Sequence, residues 1–262
     1  MKIGIIGGTG LYDAGLFQDA EEQRVLTKYG EVKLMAGYAE GNQVVFLNRH
    51  GAGHKLPPHL INYRANIAAL KETRVDMIIA TAAVGSLRED IAPGQLVILD
   101  QFIDFTSGRK HTFFNGGADA VVHVDMTQPY CQEVRGTLIE AAHSENLPLV
   151  EKGTYICTQG PRFETPAEVA MFARLGGDVV GMTNVPEVVL AREAEICYGA
   201  VAVVTNSAAG ISDTELTHQE VLDTMAANQA KLKRLLAKST QMAEKKQCSC
   251  TDAVSSQRKL QG

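Results

Sequence analysis

The sequence predicts an α/β protein, built as a single domain around a sheet with helices on both faces. Seven apolar runs recur, and most are near-continuous rather than alternating, which is typical of strands buried on both faces. Helix patterns with capping residues lie between several of them. The chain has 262 residues, 45% of them hydrophobic, so one large domain can bury a generous core. We assign residues 1–245 to this domain and residues 246–262 to a polar, frayed tail.

The predicted strands begin near the amino terminus with the run KIGIIGG. The later runs, in chain order, are QVVFLNRHG, VDMIIATAAVGSL, QLVILDQFIDF, GTYICTQG, DVVGMTNVPE and GAVAVVTNS. The section EVKLMAGYAEGNQVVFL, which overlaps the second run, predicts a hairpin that turns at residues 40–42.

Three helices are predicted between or after these strands. PPHLINYRANIAALKETR has apolar residues at helical spacing. In ETPAEVAMFARLGG, Thr165 is the expected N-cap, Pro166 the first helical residue and Glu168 the partner in a capping box. THQEVLDTMAANQAKLKRLLAK repeats the pattern with Thr217 and Glu220, and an apolar stripe follows them.

Composition limits the possible classes of function. The formal net charge of −5 argues against a nucleic-acid-binding surface. No stretch approaches the roughly 20 apolar residues of a membrane span. The amino terminus, MKIGIIGGTG, is broken by glycine too early for a secretory signal. We therefore expect a cytoplasmic protein with no nucleic-acid or membrane partner.

The five cysteines are scattered along the chain, and none has the spacing of zinc ligands, so no metal site is expected. Cys131, Cys157 and Cys197 lie in apolar segments and are predicted to be buried. Cys248 and Cys250 are predicted to be exposed in the tail, where either an inert or a redox role is possible.

Small, polar and cationic residues stand near the ends of the predicted strands. Ligands of open α/β sheets bind beyond the carboxyl ends of strands, so these residues are expected on one rim. They are Thr9, Arg49, His50, Ala82, Ala83, Met182, Thr183 and Asn206.

Two of these positions suit an anion. IIGGTGLY is a strand that enters a glycine turn, where unhindered N–H groups and Thr9 can hold a charged oxygen. A dinucleotide site is disfavoured, because no amphipathic helix follows the turn. Arg49 and His50 suit a phosphate dianion. A surface ion pair and an ordinary structural histidine remain the alternatives for those two residues.

The stretch CTQGPRFETPAEV places Phe163 and Glu164 just before a capped helix. An exposed phenylalanine can stack on a flat heterocycle, and a carboxylate can accept an N–H from its edge. Alternatively, Phe163 belongs to the core and Glu164 is a favourable first-turn charge. Together with an anion site and the Asn206 amide, these residues point to a site for a nucleoside and phosphate.

The chain resembles the family of purine nucleoside phosphorylases and methylthioadenosine phosphorylases. The shared motifs are GGTGLY, PPHLINYRANI, TAAVGSLRE, GPRFET and VVGMTNVPE, within a match from about Lys2 to Leu236. The resemblance implies a mixed, twisted, partly barrel-like sheet flanked by helices, and a homotrimer or a dimer of trimers. It also implies cleavage of a glycosidic bond by phosphate as co-substrate, with no metal or organic cofactor.

The resemblance assigns roles to individual residues. Those matching phosphate contacts are Thr9, Arg49, His50, Ala82, Ala83 and Thr183. Those matching substrate contacts are Phe163, Met182, Asn206, Ser207 and Ala208. His123, in VVHVDM, matches a residue that reaches the ribose 5′ side of a neighbouring subunit's site.

Three residues separate the branches of this family. Methylthioadenosine enzymes have aspartate at the position of Asn206 and a small residue at that of Glu164, whereas this chain resembles enzymes acting on inosine and guanosine. Ionised Glu164 can only accept, which suits N1–H of a 6-oxopurine, and Asn206 can donate to O6. His218 can hydrogen-bond a 5′-hydroxyl.

The sequence therefore predicts phosphorolysis of 6-oxopurine nucleosides, with Asn206 and Glu164 serving the departing base. The first alternative is an S-methyl-5′-thioadenosine or S-methyl-5′-thioinosine phosphorylase, because the framework looks most like that branch. A hydrolytic nucleosidase, which needs no phosphate, and a non-catalytic nucleotide-binding protein are more distant alternatives.

Overall fold

The computed structural model describes residues 1–9, 11, 18–51, 53, 55–117, 120–211, 216–245 and 247–255. Within these residues eleven strands form one sheet. The strands are β1 (Lys2–Gly7), β2 (Gln18–Thr27), β3 (Gly30–Ala39), β4 (Asn42–Asn48), β5 (Met77–Ser86), β6 (Leu96–Ile98), β7 (Gln101–Asp104), β8 (Leu149–Val150), β9 (Thr154–Cys157), β10 (Val179–Gly181) and β11 (Cys197–Ser207).

Five α-helices and two short 3-10 helices accompany the sheet in the same described residues. The α-helices are α1 (Tyr63–Glu72), α2 (Gln132–Ser144), α3 (Pro166–Arg174), α4 (Asn184–Glu193) and α5 (His218–Gln241). The 3-10 helices are Pro58–Leu60 and Ser249–Asp252.

The sheet is mixed and forks at β5. Its main path runs β2-β3-β4-β1-β5-β10-β9-β7, while β11 lies beside both β5 and β6, and β6 pairs with β8. Strand β1 runs parallel to β5 only as far as Ala80, and β10 joins antiparallel at Gly85 and Ser86. Strand β11 runs parallel to β5 along its whole length. The predicted α/β fold with a mixed sheet is confirmed.

Helices cover both faces of the sheet, as the apolar runs predict. Side chains of α1 and α4 pack into one large core, represented by Ile67 and Val188. Side chains of α2 and α5 pack into a second, represented by Leu138 and Leu232. The central strands β1, β5 and β11 are therefore buried on both faces, which leaves their ends as the place where a polar ligand can enter.

The local signals for the hairpin and one helix are confirmed. The β3–β4 hairpin turns at Glu40 and Gly41, both with positive φ. Both halves of the capping box at α3 are present, since Thr165 accepts from the Glu168 N–H and Glu168 accepts from the Thr165 N–H. At α5, Thr217 accepts from the Glu220 N–H.

Two strand predictions needed correction. The run QLVILDQFIDF is two strands, because β6 pairs with β11 whereas β7 pairs with β9 on another branch of the sheet. Ala82 and Ala83 do not end a strand, since β5 continues to Ser86. They lie beyond Ala80, the last residue of β5 that pairs with β1, and both line a cavity.

The prediction that both tail cysteines are exposed is wrong for Cys250, and Cys248 is only partly exposed. Cys250 is only 5% exposed, and Val254 is also buried. The Glu195 carboxylate accepts hydrogen bonds from the backbone N–H groups of Val254 and Ser255, both at 3.0 Å. The segment therefore packs against the domain near the start of β11.

Every helix in the part of the chain that the structure describes is too short or too polar to span a lipid bilayer.

Candidate active site

A cavity of about 470 Å³ opens where β1, β4, β10 and β11 end. Twelve of the residues proposed from the sequence line it: Thr9, Arg49, His50, Ala82, Ala83, Phe163, Glu164, Met182, Thr183, Asn206, Ala208 and His218. They come from stretches between residues 9 and 218 that only the fold brings together. The roles assigned to them remain predictions.

Arg49 follows β4 and is the main cation at one part of this cavity. Its side chain is fully buried, and its Nε and Nη2 donate to the two oxygens of Glu187, both at 2.7 Å. Nη1 donates to the Thr81 carbonyl at 2.7 Å. The sequence predicted that Arg49 binds phosphate, but the bidentate edge of its guanidinium binds Glu187. Two of the five N–H donors remain for an anion.

The Glu187 carboxylate compensates the positive charge of the buried Arg49 guanidinium. Burial alone would lower the pKa of Arg49, but the charge and hydrogen bonds of Glu187 outweigh it and raise that pKa. Tyr198 adds a third member, donating to Glu187 at 2.8 Å. The network fixes the position of the cation before any substrate binds.

The other anion-binding candidates surround Arg49. The backbone N–H of Gly8 donates to the Thr81 hydroxyl, and a Cβ at Gly8 would lie 2.8 Å from Arg49 Nη1, so only glycine fits. His50 is buried, and its Nδ1 donates to the Leu56 carbonyl at 2.9 Å, since a carbonyl can only accept. Thr183 precedes α4 without making a side-chain cap. Its hydroxyl is therefore not committed to the helix.

Asn206 reaches the cavity through an irregularity in β11. The register with β5 shifts between Val204 and Asn206, which makes Thr205 an extra residue and sets Asn206 beside Gly85. The Thr205 hydroxyl donates to the Asn206 Oδ1 at 2.9 Å, and Asn206 Nδ2 donates to the Ser207 carbonyl at 3.0 Å. The amide is 4% exposed and held at both ends.

Gly85 makes room for that amide. A Cβ at residue 85 would lie 3.0 Å from Asn206 Nδ2 and 3.3 Å from Val180. Both residues line the cavity. The absence of a side chain here leaves space for a flat ligand next to the amide.

Glu164 is half-buried and stands just before the capping box of α3. Burial raises its pKa, and this outweighs the opposing hydrogen bond that the Thr158 hydroxyl donates to Oε1 at 2.6 Å. A carboxylate held this way has one oxygen engaged and can present the other to a ligand N–H. The geometry suits recognition of a donor group.

Phe163 and His218 stand at the mouth of the cavity. Phe163 is 37% exposed, so it is not the core residue that its alternative interpretation requires. His218 is the first residue of α5 and is exposed, yet it lines the cavity together with Leu216 and Val221. An imidazole and two apolar side chains therefore share this part of the wall.

Two sequence candidates lie elsewhere. Ser207 is not in the cavity wall, because the alternation along β11 that points Asn206 inward turns the next side chain away. Its carbonyl instead positions Asn206. His123 is exposed, outside the wall of this cavity.

Three residues that contribute to the site were not predicted from the sequence. Lys55 adds a second cation to the wall and follows closely after His50 in RHGAGHK, so its charge was a usable signal. Glu187 gave no such signal, because a glutamate in an apolar run does not show which arginine it meets 138 residues away. Thr158 is the third, as the partner of Glu164.

The polar residues form two groups separated along β5. Arg49 and Gly8 meet Thr81, whereas Asn206 meets Gly85, four residues further on. At about 3.3 Å per residue the two positions are roughly 13 Å apart. One group can hold an anion and the other a polar planar ring, with the cavity continuous between them.

Comparison with known proteins agrees with this geometry. Residues 2–241 match the family model described as Phosphorylase superfamily. The chain is 54% identical to a probable 6-oxopurine nucleoside phosphorylase of Dictyoglomus turgidum, over 97% of both chains. It is 50% identical to the 6-oxopurine nucleoside phosphorylase of Pyrococcus furiosus, again over 97% of both. The fold superposes on Schistosoma mansoni methylthioadenosine phosphorylase in complex with adenine, with a TM-score of 0.89, 35% identity and coverage of 92% and 91%.

Proposed function

Since this chain belongs to the phosphorylase superfamily, we propose that it is a purine nucleoside phosphorylase in purine salvage. With phosphate it reversibly cleaves 6-oxopurine nucleosides, such as inosine and guanosine, to the free base and ribose 1-phosphate. The observation that supports this most is the presence of Glu164 and Asn206 in one cavity with buried Arg49. The two relatives named for 6-oxopurine nucleosides point the same way.

Base recognition follows from donors and acceptors. A 6-oxopurine presents N1–H and a carbonyl O6. Ionised Glu164 accepts from N1–H, and Asn206 Nδ2 donates to O6 while its carbonyl accepts from a protonated N7. An adenine presents the opposite pattern at N1 and C6. Each mismatched buried polar group costs about 1–3 kcal/mol, so two such positions discriminate strongly.

Catalysis requires charge stabilisation and positioning. The ribosyl group passes through an oxocarbenium-like transition state while the purine leaves with growing negative charge. Asn206 and Glu164 stabilise that leaving group, and the phosphate dianion held near Arg49 offsets the positive charge of the ribosyl group. These contacts exist before reaction, so the site pays little reorganisation. No side-chain nucleophile and no cofactor besides the phosphate co-substrate take part.

A second candidate activity is phosphorolysis of S-methyl-5′-thioadenosine or S-methyl-5′-thioinosine. It is favoured by Leu216 and Val221, which place apolar surface beside His218 at the cavity mouth. His218 favours a 5′-hydroxyl, whereas the apolar pair favours a methylthio group.

We further propose that the enzyme works in the cytoplasm as a homotrimer or a dimer of trimers. The support is His123, which is exposed and lies outside its own subunit's cavity, as expected of a residue that completes a neighbour's site. Light scattering on the purified protein tests the assembly. A monomer with full activity would refute this arrangement.

The test of the activity is a set of initial rates with inosine, guanosine, methylthioinosine and methylthioadenosine, each with and without phosphate. We expect fast, phosphate-dependent cleavage of inosine and guanosine. Cleavage without phosphate would identify a hydrolase. A preference for methylthioadenosine would mean that the apolar pair and the framework outweigh Glu164, Asn206 and His218.

A further inference from the structure

Four of the five cysteines meet at the start of β11, far from the cavity. Their Sγ atoms all lie within 4.8 Å of one another. We call these residues the cysteine cluster: Cys131, Cys197, Cys248 and Cys250. The sequence predicted no metal site because no two cysteines have zinc-ligand spacing. The fold overturns that premise, since it assembles the cluster from three distant parts of the chain.

The surrounding backbone fixes three of these positions. Cys131 precedes α2, and its N–H donates to the Tyr198 carbonyl at 2.8 Å, next to Cys197 at the start of β11. The tail reaches them because the Glu195 carboxylate holds the backbone that follows Cys250. The cluster is thus built from rigid elements and one anchored segment.

The spacing of the sulfurs fits a single tetrahedral ion. Zn²⁺ bonds thiolate sulfur at about 2.3 Å, which places the sulfurs of a tetrahedron about 3.8 Å apart. Cys248 Sγ lies 3.8 Å from Cys131 Sγ and 3.2 Å from Cys197 Sγ. None of the four cysteines forms a disulfide in the structure, and three of them are buried. A multinuclear iron–sulfur cluster would hold the sulfurs further apart with its own iron and sulfide atoms.

A neighbouring arginine compensates the negative charge that a metal-bound cysteine cluster would carry. Four thiolates around a divalent ion carry a net charge of −2, which is costly to bury without a compensating cation. Arg192 supplies one, because its Nη1 donates to Cys250 Sγ at 3.2 Å. Hydrogen bonds from the protein to ligating groups are the usual outer support of a metal site.

We propose that the cysteine cluster binds one structural Zn²⁺ ion, which fastens the C-terminal segment to α2 and β11. Soft thiolate ligands in tetrahedral arrangement select zinc over hard cations such as magnesium or calcium. All four positions come from the protein, so the ion has no open coordination site and takes no part in the reaction. Binding releases the thiol protons to solvent.

The first test measures metal and thiols in the full-length protein, purified with reductant and without a metal-affinity tag. Mass spectrometry of the elements should find one zinc per chain. After denaturation with a chelator, thiol titration should find all five cysteines reduced. Replacement of zinc by Co²⁺ should give the visible absorption of tetrahedral cobalt thiolate.

Two kinds of variant locate the ion. Cys248→Ser should weaken zinc binding by more than about 100-fold, since loss of an outer partner alone costs 10–100-fold. The matched control is Cys157→Ser, which changes the one cysteine outside the cluster and should keep one zinc per chain. Ser249→Ala, between the two tail cysteines, should keep it as well.

The proposal is overturned if the reduced wild-type protein takes up neither Zn²⁺ nor Co²⁺. It is equally overturned if the purified protein holds no metal and only one titratable thiol, because the cluster would then form two disulfides. Equal zinc content in Cys248→Ser and in Cys157→Ser would place the ion elsewhere. Each of these measurements is independent of enzyme activity.

Discussion

The two ends of β11 carry different kinds of polar chemistry. Its carboxyl end presents Asn206 to an open cavity, whereas its amino end begins with Cys197 in a closed cluster of sulfurs. Cys197 and Asn206 are nine residue steps apart along β11, so at about 3.3 Å per step the two sites are roughly 30 Å apart. A catalytic site must admit and release a ligand, while a structural site gains by excluding everything but its ion.

The polar groups at the two ends also differ in what they cost the fold. At the cavity, the Arg49–Glu187 pair and the half-buried Glu164 place charge in a dry region, which function requires and stability does not. At the cluster, contacts among four cysteines and Arg192 hold the C-terminal segment against the domain. We therefore expect changes at the first end to alter activity, and changes at the second to alter stability alone.

The largest expected effect comes from a change at the cavity end that lowers stability as well as activity. Glu187→Ala leaves the Arg49 guanidinium buried without its counter-charge, so the free energy of unfolding should fall by about 3–5 kcal/mol. The KM for phosphate should rise in the same variant, because Arg49 loses its position. Urea unfolding and initial rates measure the two effects.

The matched control is Arg234→Ala, which removes a surface ion pair with Glu145 and should cost less than about 1 kcal/mol. If Glu187→Ala costs no more than this control, the buried pair does not hold the cavity end together.

The next effect concerns the cysteine end. If free Zn²⁺ exceeds its dissociation constant 1,000-fold, the bound ion stabilises the folded state by about 4 kcal/mol. Cys248→Ser should therefore unfold at a clearly lower temperature, while kcat and KM for inosine at moderate temperature stay unchanged. Differential scanning calorimetry and rates on the same sample check this. A parallel loss of activity in the folded variant would show that the two ends are coupled.

The third effect isolates the cavity end. Asn206→Ala removes a donor to the departing base, and loss of one such donor typically lowers kcat by about 10²–10³-fold. Zinc content should not change. The matched control is Asn228→Ala, another buried asparagine, whose amide donates to Thr224 on α5 outside the cavity. That variant should keep kcat. Similar kcat values in both variants would remove Asn206 from the mechanism.

The smallest effects are pH-dependent and opposite in sign. Burial raises the pKa of Glu164, so its ionised form costs stability above the ordinary glutamate pKa of about 4.3. Glu164→Gln should be more stable than wild type at neutral pH, and this gain should vanish on acidification below that value. Cleavage of inosine by wild type should also decline as pH falls through the raised pKa, because protonated Glu164 no longer accepts N1–H.

Glu168, four residues further on, supplies the contrast. The hydrogen bond from Arg162 lowers the pKa of Glu168 to about 2, so its ionised form stabilises the fold. Glu168→Gln should be less stable at neutral pH, and the deficit should disappear as pH falls from about 4.3 through 2. Thermal unfolding across this pH range measures both variants. The same sign of change in both would contradict the assigned burial of Glu164.

Local sequence signals predicted much of the fold and of the cavity wall. Thr165 and Glu168 marked the start of α3, because capping depends on residues three positions apart. Thr9, Arg49 and Asn206 were found from strand ends and from family motifs, and all line the cavity. The bulge at Thr205 was not predicted, since it depends on how β11 registers with β5.

The sequence by itself determined the α/β class, most strand and helix positions, the polar residues of the rim and the family. These features depend on apolar periodicity and on neighbours a few residues apart. Only the tertiary structure decided the branching of the sheet at β5, the ion pair between Arg49 and Glu187, and the clustering of the four cysteines. Their partners lie 138 residues apart for Arg49 and Glu187, and 117 for Cys131 and Cys248. At such separations no local preference selects the partner, because contact depends on how the whole sheet closes.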